Sequence, residues 1–274
     1  MSKALKPNGE FAIIDGHKIH VFRKGNPSAQ KILFLSGHCT VSPVYDFKVL
    51  YEKLWEDYRV IVIEKFGYGY SDIYNAPSDI DSTIAFYRNA LASLGEEGPF
   101  VLAPHSLGGL EAIRWKQLYP DEVRGLIGID MAMPEAFIQW WDDEKVAKTV
   151  KTMKKWRWLA KLLGSTSNLS LSEEEIKQHK LLKRRNVFNI CHINEAKCLL
   201  TNVKTVEEGG PIHCPALIFV SSGEGQEPNW VELQNKFAKD MNAKLVPYDC
   251  GHYIHQFQSE DMAREIKGFM ETLS

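Results

Sequence analysis

The sequence predicts an α/β protein with a mostly parallel central sheet and helices on both of its faces. Short apolar runs, each as long as a buried strand, alternate along the chain with segments of helical periodicity. The chain has 274 residues and is 44% hydrophobic, which is enough to bury one large core. One long region has no strand pattern, and we expect it to form a helical insert after the sixth strand.

The predicted elements follow a regular order. The first two strands flank Asp15-Gly16-His17, which is typical of a hairpin turn. Ser259 is a suitable N-cap for an amphipathic helix that closes the chain. We predict strands at residues 11–14, 18–22, 31–35, 59–63, 99–103, 125–129, 216–220 and 244–247. We predict helices at residues 47–57, 80–94, 107–119 and 260–273.

The predicted insert divides the chain into a core domain, residues 1–133 and 212–274, and a helical cap, residues 134–211. The cap region contains four of the seven tryptophans of the chain. A helical insert at the edge where parallel strands end would cover a pocket there. Trp140 and Trp141 come soonest after the sixth strand, so we predict that they line an apolar substrate pocket.

Residues 145–161 of the cap carry seven basic side chains and no acidic one. Apolar residues recur at helical spacing on the opposite side of this segment. A basic amphipathic helix can lie on a membrane surface or bind an anionic ligand, although a solvent-exposed face is the more common case. The pattern leaves these roles open.

The composition excludes several classes of partner. Lys and Arg number 33 against 35 Asp and Glu, which gives a formal charge of -2 and no reason to expect nucleic acid. We find no signal peptide and no run of about 20 apolar residues, so we expect no stable membrane insertion. The five cysteines are odd in number and lack C-x-x-C spacing. We therefore expect free thiols and a cytoplasmic protein, and we leave the oligomeric state open.

Ser106 stands where a predicted strand turns into a predicted helix. The run Pro104-His105-Ser106-Leu107-Gly108 is close to the pattern G-x-S-x-G, with proline in the first glycine position. Such a turn exposes the hydroxyl in a strained backbone geometry and directs the first amides of a helix toward the atom that it attacks. We therefore predict that Ser106 is a catalytic nucleophile.

A serine nucleophile needs a base and an acid, which follow it in the order acid, then histidine, in a sheet enzyme with this turn. His252 comes directly after a glycine beyond the last strand, and we predict it as the base. Asp130 ends the sixth strand, so we favour it as the acid over Glu224 and Glu227, which follow the seventh strand. His255 fits a structural hydrogen bond better than a metal site, and we predict no metal.

The developing negative charge of acyl transfer also needs hydrogen-bond donors. We predict the backbone amides of Leu107, next to the nucleophile, and of His38, in the loop Ser36-Gly37-His38 after the third strand. The His38 imidazole could instead bind substrate or simply pack, and the sequence leaves these alternatives open.

These motifs together resemble the α/β-hydrolase fold superfamily, in the serine-hydrolase branch with a helical cap. The resemblance runs from the Ser36-Gly37-His38 loop to Gly251-His252 and includes residues 64–72, which resemble the family stretch D-x-x-G-x-G-x-S with Glu64 at the first position. Haloalkane dehalogenases and epoxide hydrolases of this branch have an aspartate where this chain has Ser106, which argues against both activities. The G-G-S-W-G stretch typical of proline iminopeptidases is absent.

We therefore expect a cofactor-free serine hydrolase that cleaves a carboxylic ester, or a related small acyl substrate, through an acyl-enzyme. A lactonase, a peptidase or a carbon–carbon bond hydrolase could use the same residues. A small-molecule receptor that keeps the fold without turnover is the alternative from another class.

Overall fold

The computed structural model describes residues 4–162 and 170–273, with the side chains of residues 161 and 162 excluded. Eight strands form one sheet in the order β1-β2-β4-β3-β5-β6-β7-β8. Strands β1 and β2 are antiparallel, β2 is antiparallel to β4, and all further pairs are parallel. The strands are β1 Glu10–Ile14, β2 His17–Lys24, β3 Lys31–Leu35, β4 Arg59–Glu64, β5 Phe100–Pro104, β6 Val123–Ile129, β7 Ala216–Val220 and β8 Lys244–Pro247.

Helices cover both faces of this sheet, as the sequence predicts. Their apolar sides pack on the parallel strands β3 to β7, which are almost completely buried because a parallel sheet between two helical layers has no solvent-facing side. The helices are α1 Pro43–Asp46, α2 Lys48–Tyr51, α3 Ile80–Ser93, α4 Gly108–Leu118, α5 Glu135–Ile138, α6 Asp143–Leu162, α7 Glu173–Asn186, α8 Ile190–Glu208, α9 Trp230–Asp240, α10 Ile254–Phe257 and α11 Ser259–Glu271. A short 3-10 turn spans Pro120–Glu122.

The helix predicted over residues 47–57 is not continuous. Two single-turn helices, α1 and α2, meet at Phe47, whose backbone ψ of -2° interrupts the helical geometry. Beyond α2 the backbone continues as turns, in which the amides of Lys53 and Asp57 donate to carbonyls three residues back. Three-residue spacing is tighter than that of an α-helix, so the segment does not propagate as one.

The region between β6 and β7 contains α5, α6, α7 and α8, and its described residues include no strand. The basic segment of residues 145–161 lies within α6, where most of its basic side chains are exposed; the Lys161 side chain lies outside the described residues. Asn186 and Asn189, at the junction of α7 and α8, donate side-chain hydrogen bonds to the carbonyls of Gly69 and Gly67. These contacts attach the helical region to the loop after β4.

The parallel strands end at one edge of the sheet, which places several loops together. The loops after β3, β5, β6, β7 and β8 carry His38, Ser106, Asp130, Ser221 and His252. In parallel α/β sheets this carboxyl edge is where ligands bind.

Candidate active site

Ser106 lies on the turn between β5 and α4 with a backbone φ of 52°. Residues other than glycine rarely adopt this left-handed conformation, and it persists only where the surroundings enforce it. Here the carbonyl of Ser106 accepts a 2.7 Å hydrogen bond from the amide of Ala132, and the amide of His105 donates to Leu35 at 2.9 Å. The turn is therefore held by hydrogen bonds to the end of β3 and to the loop after β6.

Small residues surround this turn because the backbone segments approach very closely. A Cβ atom on Gly37 would lie 2.6 Å from the Cβ of Ser106, and one on Gly109 would lie 2.2 Å from the carbonyl oxygen of Ala132. Real side chains do not tolerate such distances, so glycine is required at both positions. Gly37 also brings the loop after β3 directly alongside Ser106.

Asp130 and His252 form a pair at the same edge. The Nδ1 atom of His252 lies 2.5 Å from Oδ2 of Asp130. The other carboxylate oxygen accepts hydrogen bonds from the amide of Ser221 at 2.9 Å and from Nε1 of Trp230 at 2.8 Å. Asp130 is completely buried and has a positive φ of 43°, so its carboxylate is oriented by three donors and by a constrained backbone.

The two alternative acids are placed elsewhere. Glu224 is exposed, whereas Glu227 accepts a 2.8 Å hydrogen bond from Nε1 of Trp141 and pairs with Nζ of Lys145 at 3.0 Å. The structure thus brings Asp130, and neither glutamate, to His252. The sequence feature that indicates Asp130 is its position directly after a buried strand.

His105, which directly precedes Ser106 in the chain, contacts His252. The rings of His105 and His252 have centroids 4.5 Å apart, and Nε2 of His105 lies 3.2 Å from the carbonyl oxygen of His252. Burial and the neighbouring histidines hold the pKa of His105 well below its usual range, so its ring is neutral. No hydrogen bond joins Ser106 Oγ to His252 in the part of the chain that the structure describes. Such bonds are often long in unliganded enzymes and shorten with substrate.

The two predicted oxyanion donors flank the serine. Leu107 precedes the first turn of α4, and His38 directly follows Gly37. Among residues 4–162 and 170–273, neither backbone amide donates a hydrogen bond. Both amides are therefore free to bind a ligand oxygen.

A cavity of about 200 Å³ contains Ser106 in its wall. Its wall is mostly apolar, and residues from α5, α6 and α8 contribute to it. The polar members are His38, Ser106, Thr149, Gln226 and Glu227. Trp141 lies in this wall, whereas Trp140 is 41% exposed and is not among the described residues that line it. The lining residues are His38, Ser106, Leu107, Ala132, Phe137, Trp141, Thr149, Ala196, Leu199, Gly225, Gln226, Glu227 and Trp230.

A second group of ionisable residues lies beside the cavity, and no sequence motif indicates it. Nζ of Lys65 binds Oε1 of Glu111 at 2.7 Å and also contacts Glu195, whose Oε2 lies 2.8 Å from Nδ1 of His38. We call Lys65, Glu111, Glu195 and His38 the buried charge cluster. It joins the loop after β3, the loop after β4, α4 and α8, which lie far apart in the sequence.

Within the described residues, no group of three or more His, Cys, Asp or Glu side chains could hold a metal ion. His255 lies 3.2 Å from Asp46 in a buried contact between α10 and α1. No described helix is both long enough and apolar enough to cross a bilayer.

Known proteins resemble this chain over most of its length. Residues 31–157 match the alpha/beta hydrolase fold family. YbdG of Bacillus subtilis is 34% identical in an alignment that covers 97% of this chain and 86% of YbdG. Epoxide hydrolase 1 of Caenorhabditis elegans is 21% identical, with 92% of this chain and 68% of that protein covered.

Solved structures of hydrolases have the same architecture. The haloalkane dehalogenase DbeA from Bradyrhizobium elkani superposes with a TM-score of 0.72 at 17% identity, covering 96% of this chain and 97% of its own. The enol-lactonase from Burkholderia xenovorans superposes with a TM-score of 0.68 at 15% identity, covering 96% and 100%. The sheet order, the strand-to-helix turn at Ser106 and these relatives lead to one conclusion: the chain belongs to the α/β-hydrolase fold family.

Proposed function

We propose that this protein is a serine hydrolase that cleaves a carboxylic ester, or a related small acyl substrate, through an acyl-enzyme. The observation that carries the proposal is the strained turn at Ser106, next to the buried Asp130–His252 pair on the same sheet edge. Fold alone would not support this choice, because α/β-hydrolase folds carry many chemistries. The serine at position 106 supports acyl transfer.

In the proposed acylation step, Ser106 Oγ attacks the carbonyl carbon while Nε2 of His252 takes its proton. Asp130, bound to Nδ1, holds the tautomer that leaves Nε2 free and stabilises the imidazolium that forms. The backbone amides of His38 and Leu107 donate to the oxyanion. When the tetrahedral intermediate collapses, the carbon–oxygen bond to the alcohol breaks and the imidazolium gives its proton to that oxygen.

In the proposed deacylation step, water attacks the acyl carbon and His252 takes one of its protons. Collapse of the second tetrahedral intermediate releases the carboxylic acid and returns the proton to Ser106. Apart from the substrate and water, both steps use only groups of this chain, so the proposal includes no cofactor.

The helical region 134–211 is proposed as the cap that limits substrate size. Phe137 and Trp141 from its start, and Ala196 and Leu199 from α8, form much of the apolar cavity wall. A cavity of about 200 Å³ suits a small acyl group. The five cysteines are all free, which supports a reducing compartment such as the cytoplasm.

A fluorophosphonate probe tests the proposal because it labels only an activated serine. We expect the wild-type protein to be labelled, the Ser106→Ala variant to remain unlabelled, and the His252→Ala variant to be labelled far more slowly. Ser222→Ala, which changes a serine at the same edge outside the cavity, is the matched control and should be labelled like the wild type. A native protein that stays unlabelled, or equal labelling of Ser106→Ala, would contradict the proposal.

A further inference from the structure

The His38 side chain has two different surroundings at its two ring nitrogens. Nδ1 lies 2.8 Å from Oε2 of Glu195, whereas Nε2 is buried and has no hydrogen-bond partner among the described residues. The side chain is 20% exposed and lies in the wall of the cavity that contains Ser106. One nitrogen is therefore bound to the protein, and the other is buried without a partner in a residue that lines the proposed active site.

The surroundings of His38 favour its protonated form. Burial lowers the pKa of His38, but the neighbouring Cys39 sulfur and the Glu195 carboxylate raise it, to about 10. Burial acts to raise the pKa of Glu195, while Lys65 and His38 hold it well below its usual range. His38 is thus an imidazolium at neutral pH, and both of its nitrogens carry protons.

Two further groups beside this pair are bound to carboxylates rather than to His38. Tyr68 directs its hydroxyl to Glu195, and Lys65 is bound between Glu195 and Glu111. Burial, followed by the charge of His38, lowers the pKa of the nearby His192 to about 3, so that ring is neutral. An unpaired donor on a buried cation is costly, so an acceptor oxygen brought to Nε2 by a ligand would be stabilising.

We propose that the His38 imidazolium binds an anionic oxygen of the substrate, so that the preferred substrate is an acyl compound bearing a carboxylate. This inference rests on the proposed function, because it concerns the same cavity. A charge-assisted hydrogen bond from a cation is among the stronger polar interactions available in a mostly apolar pocket. Glu227, another residue of the cavity wall, is paired with Lys145 and Trp141, so it does not present a free negative charge to such a ligand.

The test compares two chromogenic esters that differ mainly in charge: 4-nitrophenyl hydrogen glutarate, which is an anion, and methyl 4-nitrophenyl glutarate, which is neutral. We expect the wild-type enzyme to have the higher kcat/KM for the anionic ester. In His38→Gln, which retains a neutral donor and the backbone amide, the ratio of the two kcat/KM values should fall by about 10- to 100-fold. Glu195→Gln should lower the same ratio, because the imidazole then loses the charge that keeps it protonated.

Glu227→Gln is the matched control, because it changes charge at another residue that lines the same cavity. Its preference for the anionic ester should equal or exceed that of the wild type. Glutarate should also inhibit wild-type hydrolysis of the neutral ester competitively, a measurement that needs no folded variant. The inference is overturned if the enzyme hydrolyses the neutral ester while glutarate does not inhibit, or if His38→Gln leaves the ratio unchanged. Absence of turnover of both esters, with Ser106 unlabelled by the fluorophosphonate, would instead overturn the proposed function and this inference with it.

Discussion

The Asp130–His252 pair and the buried charge cluster both keep ionisable groups away from water, but they are built differently. Asp130 directly follows β6 and His252 lies in the loop after β8, while Ser106, in the loop after β5, is held in a strained conformation. The cluster instead joins two loops, α4 and the helical region through side chains alone. We infer that the backbone strain at Ser106 is retained because the site with Asp130 and His252 serves a reaction. The buried charge cluster instead connects the helical region to the core.

The largest expected effect concerns the acid of the pair. Asp130→Asn should lower kcat by ~10⁴-fold, because an amide favours the wrong tautomer of His252 and does not stabilise its charged form. The melting temperature should change little, since an asparagine oxygen can still accept from Ser221 and Trp230. The controls Glu224→Gln and Glu227→Gln should stay within about tenfold of wild type on a neutral chromogenic ester. The assignment moves to the seventh strand if one of these controls loses activity and Asp130→Asn does not.

Substitution in the buried charge cluster should have the opposite effect, because it should mainly change the stability of the fold. Lys65→Met leaves Glu111 and Glu195 without their shared cation, so the free energy of unfolding should fall by about 3–5 kcal/mol in urea titrations. Lys236→Met removes the cation of an exposed pair with Glu135 and is the matched control, with an expected change within about 1 kcal/mol. Equal changes in the two variants would show that the cluster contributes no more than a surface ion pair.

The pH dependence of the unfolding free energy tests the protonation of His38 in the buried charge cluster. The folded-state pKa of His38 is about 10, above the usual value of 6.5, so folding binds a proton between these values. The resulting stabilisation is complete below about pH 6.5 and is lost as the pH rises through the folded-state pKa. The difference in unfolding free energy between wild type and His38→Gln should therefore be larger near pH 6 than near pH 10. A difference that is the same at both pH values would contradict a protonated His38.

The smallest expected effect separates the two tryptophans. Trp141→Ala should change the relative kcat/KM for short and long acyl esters by about tenfold, because Trp141 lies in the cavity wall. Trp140→Ala should stay within about twofold, because that side chain is exposed. Equal losses on every ester, together with a large drop in melting temperature, would show that Trp141 only supports the core.

Much of the architecture could be predicted because its signals are local. Each strand is a short apolar run, and every strand bound lies within two residues of the predicted one. The sequence does not predict that the helix over residues 47–57 gives way to turns, because turns of three-residue spacing have the same apolar pattern as a short helix. The two adjacent tryptophans also look alike in the sequence, and only the packing of the helical region distinguishes them.

The amino-acid sequence is enough to place Ser106, Asp130 and His252 on the loops after β5, β6 and β8, and hence at one edge of the sheet. This works because parallel strands must place their carboxyl ends together, whatever the side chains nearby. The tertiary structure alone decided that Glu195 lies against His38, a contact between residues 157 positions apart. It also decided that Trp230 and Ser221 donate to Asp130. These partners are chosen by how helices pack on the sheet, and a one-dimensional pattern of polar and apolar residues does not contain that information.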